Sequence, residues 1–479
     1  MKTKKKKNFK RVFVCILIFT FTCSAQALDI TRYVKPGGTG RGTSWTDACG
    51  SINQALNDIK TAGSGTVFIG PGNYTESVYV PDGSKNVRIV GGLSENDMVK
   101  PQQNQVFLTE GKYDIMKTSS AAVEIGWHCE DIKISGINIV KGTTGIVLRG
   151  SNITVSFCAV SGCRTGIEND GVSNKNHLIE YCDVFKCNGI GIKLSLADIT
   201  NSTIRENSIG LSLSKCYVID CKIRDNVHPI ATGGILGDAG GIRMSQTYLI
   251  NCTIMNNKCE GNGGGVYVSG SGYHSFIFQC IIANNSALDG GGIYADEQVF
   301  IESSTIINNK ATRLGGGICI GKSGWNGISA MTGSILWNNI ANNVAQQYGI
   351  YNNKQFDMTH SAIQGGGALP ETDAENGIID VSPKNIDSNK PCVALSIVGS
   401  FSGASTNPEQ TKQIHEQWVT LTSQSACIDK GGDFSKLKIS GIGGDQTLNV
   451  DRTKDCRSRP RSDGKNDIGA FEFQKSSSE

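Results

Sequence analysis

Short apolar strands alternate with polar corners in one unit that recurs nine times between Ile137 and Tyr351. Each unit has an apolar strand, a corner at Asn or Cys, one to three glycines and a second strand. The corner segments are INIVKG (137–142), CAVSGC (158–163), CDVFKC (182–187), STIREN (202–207), CKIRDN (221–226), CTIMNN (252–257), CIIANN (280–285), STIINN (304–309) and SILWNN (334–339). Successive units are 19 to 31 residues apart, which is typical of a solenoid.

Two short strands per unit cannot bury a core alone and must stack on identical neighbours. Coils stacked about 4.8 Å apart form a parallel β-helix. The open apolar end of such a helix needs a cover. We predict an amphipathic helix over about Ala48–Ala62, with Thr46 or Asp47 as its N-cap, in that position.

Stacking places equivalent corner residues directly over one another. We predict that the amides at the last corner position form an inward ladder, each donating to the next carbonyl. The ladder residues are Asn207, Asn226, Asn257, Asn285, Asn309 and Asn339. A second buried column is predicted at the first corner position, from Cys158, Cys182, Cys221, Cys252 and Cys280.

The cysteines leave three interpretations open. Small apolar thiols fit a buried stack. Stacked neighbours such as Cys158 and Cys182 also lie near disulfide range, and an exported chain can be oxidised. Metal binding would suit the C-x4-C spacing, but no histidine cluster or C-x2-C pair accompanies it. We favour buried free thiols and predict no metal site.

Residues 1–27 are predicted to be a signal peptide. A basic segment at Lys2–Arg11 precedes an apolar run at Val12–Phe21, and Ala25–Ala27 is a small-x-small cleavage site. Lipoprotein processing at Cys23 is the weaker interpretation, because Thr20 and Thr22 do not suit it. Cleavage removes seven basic residues and no acidic ones, so the formal charge changes from +3 to −4. That balance does not indicate a nucleic-acid partner.

The remaining chain divides by the regularity of its repeats. The predicted divisions are an N-terminal cap with first irregular coils (28–130), regular β-helix repeats (131–351), irregular late coils (352–424) and a C-terminal cap or anchor-associated region (425–479).

Three segments resemble known families. Tyr33–Trp45 with Gly65–Tyr74 resembles the start of secreted β-helix proteins of the pectate-lyase-like superfamily, especially of Bacteroidetes-type bacteria. The GGGI repeats look like those of chlamydial polymorphic outer-membrane proteins, and Ser425–Gly432 with Asp467–Glu472 is similar to choice-of-anchor Q surface proteins. The resemblance implies an all-β, right-handed single-stranded parallel β-helix with the helical cap. It also implies an exported protein, secreted or on the outer-membrane surface of a Gram-negative bacterium.

One outward column of the second strands carries the candidate chemistry. It is predicted two residues after each glycine, at Val147, Glu168, Lys193, Ser212, Arg243, Tyr267, Tyr294, Cys319 and Tyr351. Glu168, Lys193 and Arg243 are candidates to bind or deprotonate an acidic sugar. Tyr267, Tyr294 and Tyr351 are candidates for stacking on sugar rings. The alternative is a solvated sheet face with a stabilising tyrosine ladder.

Arg224 is a further catalytic candidate, in an outward column of the first strands with Asp183, Arg205 and Lys222. Ion pairing on an exposed face is the simpler explanation of this cluster. His177 and His228 are interpreted as loop histidines that are either solvated, which we favour, or part of the groove. Trp127 and Trp325 are interpreted as loop residues that either contact sugar or pack locally.

Two functional hypotheses and a structural one follow. The first is a monomeric protein that binds polysaccharide or a host-surface glycan without turning it over, with peripheral association with the outer membrane. The second is a polysaccharide lyase or glycoside hydrolase acting on an acidic glycan in the same groove. The third is a surface spacer. No cofactor is predicted, although the lyase hypothesis implies Ca²⁺.

Overall fold

The computed structural model describes residues 28–91, 106–109, 121–170, 176–229, 237–270, 274–321, 328–351, 354–359 and 361–364, with three further short strands. This part of the chain forms coil after coil through three parallel sheets, here called sheets A, B and C. The prediction of a parallel β-helix is confirmed.

Sheet A contains thirteen parallel strands in chain order. They are Leu28–Val34, Gly63–Ile69, Lys85–Gly91, Glu130–Ser135, Thr154–Ser156, His177–Glu180, Ala197–Thr200, Tyr217–Ile219, Tyr248–Ile250, Ser275–Phe278, Val299–Glu302, Ser329–Thr332 and Phe356–Thr359.

Sheets B and C share the long strand Ile137–Leu148, which passes from one sheet into the other. The other strands of sheet B are Gly72–Tyr74, Val106–Thr109, Ala159–Ser161, Asp183–Phe185, Thr203–Arg205, Lys222–Arg224, Thr253–Met255, Ile281–Ala283, Thr305–Ile307, Ile335–Trp337, Ala362–Ile363 and Ile379–Asp380. The other strands of sheet C are Val78–Val80, Ala121–Ile125, Cys163–Asn169, Ile190–Ser195, Ile209–Ser214, Ile242–Ser245, Val266–Val268, Ile293–Ala295, Ile318–Ile320 and Tyr348–Ile350.

A smaller sheet, sheet D, lies between sheets B and C in chain order in the later coils. Its strands are Val227–His228, Lys258–Cys259, Ser286–Asp289, Lys310–Leu314, Ile340–Ala341 and Val344–Ala345. A separate antiparallel pair joins Val393–Ala394 to Thr420–Leu421.

Single residues in the left-handed region turn the chain at the corners. Asp220 (φ 54°) leads from sheet A to sheet B, and Asp225 (φ 58°) leads out of sheet B in the same coil. Asn and Asp tolerate this conformation better than other non-glycine residues. Asn251 and Asn256 repeat the arrangement one coil later. The recurring polar corners of the sequence therefore have a conformational cause.

The six asparagines of the predicted ladder lie in one buried column beside sheet B. Asn226 Nδ2 donates to Asn257 Oδ1 (2.9 Å) and to the Ile204 carbonyl (3.2 Å), and its backbone N–H donates to the same Asn257 oxygen (3.1 Å). The pattern repeats through Asn339, whose amide donates to Gln347 Oε1 (2.9 Å). Each coil therefore satisfies buried polar groups of the coil before it.

The cysteine column stacks in register at the corner that enters sheet B. None of the twelve described cysteines is in a disulfide, and all twelve are buried. Most thiols of the column donate to carbonyls of the preceding strand of sheet A; Cys252 Sγ, for example, lies 3.3 Å from the Ile250 oxygen. Cys216 lies outside this column, directly before the sheet A strand Tyr217–Ile219. Burial raises the pKa of Cys216 to about 12, so this thiol stays protonated and unreactive at neutral pH.

One helix, Ile52–Ala62, covers the first coil as predicted, but its start differs from the prediction. The N-cap is Ser51, whose side chain accepts a hydrogen bond from the Gln54 N–H (3.2 Å). Asp47 instead accepts hydrogen bonds from Arg41 and Thr43 in the preceding loop. The helix buries Ile52, Ala55, Leu56 and Ile59 against the first strands.

No helix within the described part of the chain is both long and apolar enough to cross a bilayer. The predicted signal peptide, residues 1–27, lies outside the described residues, as do residues 425–479.

Candidate functional site

The outward column of sheet C follows the predicted register through most of its length. Glu168 pairs with Lys193, and Lys193 pairs with Ser212. Arg243 comes next, and the column continues upward through Tyr267 and Tyr294 to Cys319. Residues from coils far apart in sequence therefore share one face of the helix.

A cavity of about 590 Å³ lies on this face between the coils of Thr144 and Ser208. Its wall mixes polar and charged side chains with the apolar side chains of Ile190, Ile209 and Pro229. The residues that give it its chemistry are Thr144, Arg164, Glu168, Asn188, Lys193 and His228. Among the described residues, two basic side chains thus line the cavity together with one carboxylate and one histidine.

Glu168 and Lys193 form the floor of this groove. They are direct partners on neighbouring parallel strands, so their backbones lie about 4.8 Å apart. Thr144 Oγ1 donates to Glu168 Oε1 (3.0 Å). Lys193 is exposed, whereas Glu168 is half-buried. The carboxylate is held in place while the ammonium remains available to a ligand.

His228 lies in the strand Val227–His228 and is oriented by the backbone. Its Nδ1 is 3.0 Å from the Asp238 carbonyl oxygen. Because a carbonyl only accepts, Nδ1 carries the proton in this contact and Nε2 is left as the acceptor of a neutral ring. A Cβ on Gly237 would lie 2.5 Å from the ring carbon Cε1, so only glycine leaves space for the imidazole there.

Arg243 lies farther along the same column and does not line the cavity. Its guanidinium is 5.5 Å from the centre of the Tyr267 ring, a cation–π contact. The side chain is exposed. Arg243 therefore continues the cationic face beyond the groove, two coils from Lys193.

The two tyrosines above Arg243 are buried, so the prediction that they are exposed is wrong. The exposed fractions of Tyr267 and Tyr294 are 8% and 4%. Their rings are parallel with centres 5.5 Å apart, and Arg243 covers the other face of Tyr267. Burial and the nearby Asp296 raise the pKa of both phenols. The ring faces are occupied, which leaves Tyr267 no face for a sugar.

Tyr351 does not occupy the next place in the column, which is a correction to the predicted register. Gly349 pairs with Cys319 instead. Tyr351 lies two residues later and its hydroxyl donates to Asp289 Oδ2 (2.8 Å). It still packs beside the buried cluster of Tyr267, Tyr294 and Cys319.

Glycine-rich segments close the upper half of the column. Gly263 and Gly315 have left-handed φ angles of 74° and 64°. A Cβ on Gly263 would lie 2.8 Å from Tyr267 Cβ, and one on Gly315 would lie 2.8 Å from Cys319 Cβ. The chain therefore lies directly against the column in these coils, which is why the GGG motifs occur there.

Arg224 does not join the groove, so the four catalytic candidates are not brought together. It lies on sheet B, where Nη1 pairs with Asp225 Oδ2 (2.5 Å). In the same cluster Arg205 pairs with Asp183 (2.8 Å). These contacts agree with the ion-pair interpretation of this face.

Lys222 is the unusual member of the sheet B cluster. Burial, and secondarily the positive charge of Arg224, lower its pKa to about 8. Its neighbours along the column are Thr203 and Thr253. The column then continues through Ile281 to Thr305, so polar and apolar side chains alternate beyond Thr253.

Sequence reasoning missed Arg164, Asn188 and Thr144. For His228 it favoured a solvated loop over a place in the groove, and the structure shows that this residue lines the cavity. A signal existed for two of the missed residues. Arg164 and Asn188 each follow a last corner position, Cys163 and Cys187, by one residue. That position leads out of the buried column toward the entry of sheet C, which is where the groove lies.

Two other interpretations change with the structure. His177 is not a loop residue; it is 1% exposed and begins a strand of sheet A beside Ala197. Trp127 is 44% exposed at the corner between sheets C and A. Trp325 lies outside the described residues.

Among the described residues, no group of three or more His, Cys, Asp or Glu side chains could hold a metal ion.

Comparison with known proteins identifies the architecture. Residues 112–247 match the model of the right handed beta helix region. The chain is a right-handed parallel β-helix. No curated protein matches this β-helix in sequence.

Several solved structures are similar to this right-handed β-helix. The crystal structure of pectate lyase Pel9A is 12% identical with a TM-score of 0.46, over 93% of this chain and 97% of that chain. The complex of XylC with xylose is 12% identical with a TM-score of 0.49, over 78% and 88%. The Azotobacter vinelandii mannuronan C-5 epimerase AlgE4 A-module is 15% identical with a TM-score of 0.38, over 64% and 94%. No function follows from likenesses at this level.

Proposed function

We propose that this protein binds an acidic polysaccharide in the groove on sheet C. The observation that carries the proposal is the wall of the cavity, where Arg164 and Lys193 lie beside Glu168, the one carboxylate among the described lining residues. An excess of cations on a concave wall favours a ligand that carries carboxylates or sulfates. Asn188 and Thr144 supply the neutral donors that fix hydroxyl groups.

The shape of the face favours a chain-like ligand. The outward column continues past the cavity through Ser212 to Arg243. Successive coils are about 4.8 Å apart, so Lys193 and Arg243 are roughly 10 Å apart along the axis. A polysaccharide lying along the axis meets a new set of side chains at every coil.

The test is retardation in affinity gels cast with polygalacturonate, alginate or neutral dextran. We expect the acidic polymers to retard the protein and dextran to leave it unaffected. Lys193→Ala and Arg164→Ala are each expected to weaken retardation about tenfold, as for a charged hydrogen bond.

Lys133→Ala is the matched control, because Lys133 is an exposed lysine on sheet A, away from the groove. Equal weakening by Lys133→Ala would indicate attraction by general charge and would contradict the groove. If no polymer retards the protein, the binding proposal fails and the surface-spacer hypothesis gains support.

Catalysis in the same groove is the second candidate function. The orientation of the His228 ring is the observation that favours it. The Asp238 carbonyl fixes the ring so that Nε2 accepts a proton (Nδ1 to oxygen, 3.0 Å), as a general base requires. A polysaccharide lyase is favoured over a two-carboxylate glycoside hydrolase, since Glu168 is the one carboxylate among the described residues that line the cavity. Absorbance from unsaturated uronates and reducing ends, with and without Ca²⁺, would detect either activity. Product formation would rank catalysis above binding.

We propose further that the protein acts after export, on the cell surface or in the medium. The support is the basic, apolar and small-residue pattern of residues 1–27. Fractionation of cells that express the full chain tests this, and N-terminal sequencing should begin at Leu28. Retention of residues 1–27 in the cytosol would contradict export.

A further inference from the structure

An exposed aromatic side chain lies just beyond the end of a sheet C strand, in a coil that precedes the groove. Trp127 follows the sheet C strand Ala121–Ile125 and is 44% exposed, a large fraction for an indole. Exposed tryptophan is costly to hydrate and is enriched where proteins bind ligands. This residue therefore needs an explanation that the fold alone does not supply.

The surroundings hold Trp127 in one place. Its backbone N–H donates to Asp82 Oδ1 (2.8 Å). The Arg149 guanidinium lies over the indole, 5.4 Å from the ring centre, and Arg149 is itself paired with Glu124. An aromatic ring positioned in this way loses little conformational freedom when a ligand binds, so more of the contact energy appears as affinity.

The strand that Trp127 follows, Ala121–Ile125, belongs to the sheet that carries the proposed site. Glu124 pairs with Val147, Val147 pairs with Glu168, and Glu168 pairs with Lys193. Three coil steps therefore separate the coil of Trp127 from that of Lys193, which corresponds to roughly 14 Å along the axis. A single sugar cannot contact both residues, whereas an extended chain can.

We propose that Trp127 is an aromatic subsite for the polysaccharide bound in the groove. This inference rests on the proposed function and extends it. The ligand is recognised over several sugar units, by cations at Arg164 and Lys193 and by the indole of Trp127 several sugar units away. Arg149 lies beside the indole and adds a positive charge at the same subsite.

The experiment compares polymer and disaccharide as probes. Retardation by polygalacturonate is measured for the wild type, Trp127→Ala, Trp127→Phe and Phe157→Ala, and digalacturonate is used as a competitor of fluorescently labelled oligogalacturonate. Phe157 is the matched control, because it is also an exposed aromatic (41%) but lies at the corner between sheets A and B. Thermal unfolding of each variant checks that the fold is retained.

We expect Trp127→Ala to weaken retardation by the polymer roughly two- to tenfold, the range for one aromatic contact. Its competition constant for digalacturonate should not change, since the disaccharide does not reach the indole. Trp127→Phe should restore most of the affinity, and Phe157→Ala should have no effect.

Polymer binding that Lys193→Ala weakens and Trp127→Ala does not would overturn the subsite and leave the proposed function intact. Equal effects of Trp127→Ala on polymer and disaccharide would also overturn it, because the change would then be transmitted through the fold. If the wild type binds neither probe, the proposed function itself fails.

Discussion

The lower and upper halves of the sheet C column differ in whether their outward side chains reach solvent. In the lower half, Lys193 and Arg164 are exposed around a cavity. In the upper half, Tyr294 and Cys319 are 4% and 0% exposed at equivalent positions. Strand register is the same in both halves. The difference comes from the segments that precede each strand, so a groove on a β-helix is defined by its corners.

The closing segments of the upper half are themselves held by polar contacts. Asp289 is fully buried and accepts from Arg313 Nε (2.8 Å) and from the Tyr351 hydroxyl (2.8 Å). Leu314 lies so close to Gly349 that a Cβ there would be 2.4 Å from Leu314 Cγ. In the lower half, the cavity lies where these closing segments lie in the upper half.

The largest effect is expected from placing a cation in the closed half. Tyr294→Lys replaces a buried ring that stacks on Tyr267, and we expect it to lower the free energy of unfolding by about 4 kcal/mol. Ser212→Lys, at an equivalent but half-buried position of the open half, should change it by less than about 0.5 kcal/mol. Denaturant unfolding measures both. Equal losses would mean that the two halves do not differ in packing.

The second-largest effect is expected from breaking the asparagine ladder. Asn257→Ala removes the donor to Asn285 Oδ1 and the acceptor used by the Asn226 N–H. We expect a loss of about 3 kcal/mol, because buried partners on both sides are left unsatisfied. Asn138→Ala, at an outward position of sheet B, is the control. A similar cost at both sites would argue against the ladder as a source of stability.

A smaller, pH-dependent effect is expected at Lys222. Its pKa in the folded state is about 8, below the ordinary value of about 10.5. Below pH 8 the folded state holds a charge that it disfavours, and this cost disappears as the pH rises toward 10.5. We expect Lys222→Met to stabilise the protein by about 1 kcal/mol at pH 7 and the gain to vanish near pH 10.5. Unfolding curves at several pH values measure the difference, and a gain that does not depend on pH would refute this account.

The smallest effect should appear in binding. Ser212→Lys adds a cation between Lys193 and Arg243, and we expect it to strengthen retardation by polygalacturonate roughly threefold at low salt. The gain should disappear at high salt. Ser245→Lys is the matched control, because Ser245 pairs with Ser214 in the other outward column of sheet C. If Ser245→Lys strengthens retardation equally, the gain does not depend on placing the new cation in the column of Lys193 and Arg243.

The repeat predicted the coils, the ladder and the register of Glu168, Lys193 and Arg243, because parallel stacking makes equivalent positions coincide. Exposure at those positions could not be predicted in the same way. Whether Tyr267 is covered depends on Gly263 and on segments that fold back, and these vary in length between coils. The walls of the groove were missed for the same reason, since Arg164 and His228 lie in the variable corners.

The register shift at Tyr351 has a comparable cause. The last regular coil lacks a GGG motif, and Gln347 takes the place of the next ladder amide by accepting from Asn339 (2.9 Å). Counting residues from a glycine therefore fails there. The signal peptide and the C-terminal region could be predicted only from their patterns, and both remain predictions.

The amide ladder also bears on how such a molecule changes over evolutionary time. From Asn226 to Asn339, each asparagine offers its Oδ1 to the preceding coil, where it accepts from the Nδ2 and the backbone N–H of the asparagine there. Duplicating the DNA for one coil therefore creates a contact between coils identical to those already present, and the side-chain amides of Gln347 and Gln364 still continue the series after Asn339. The number of coils can therefore vary while the hydrogen bonds between coils stay the same. The length of ligand that the sheet C face can bind varies with it.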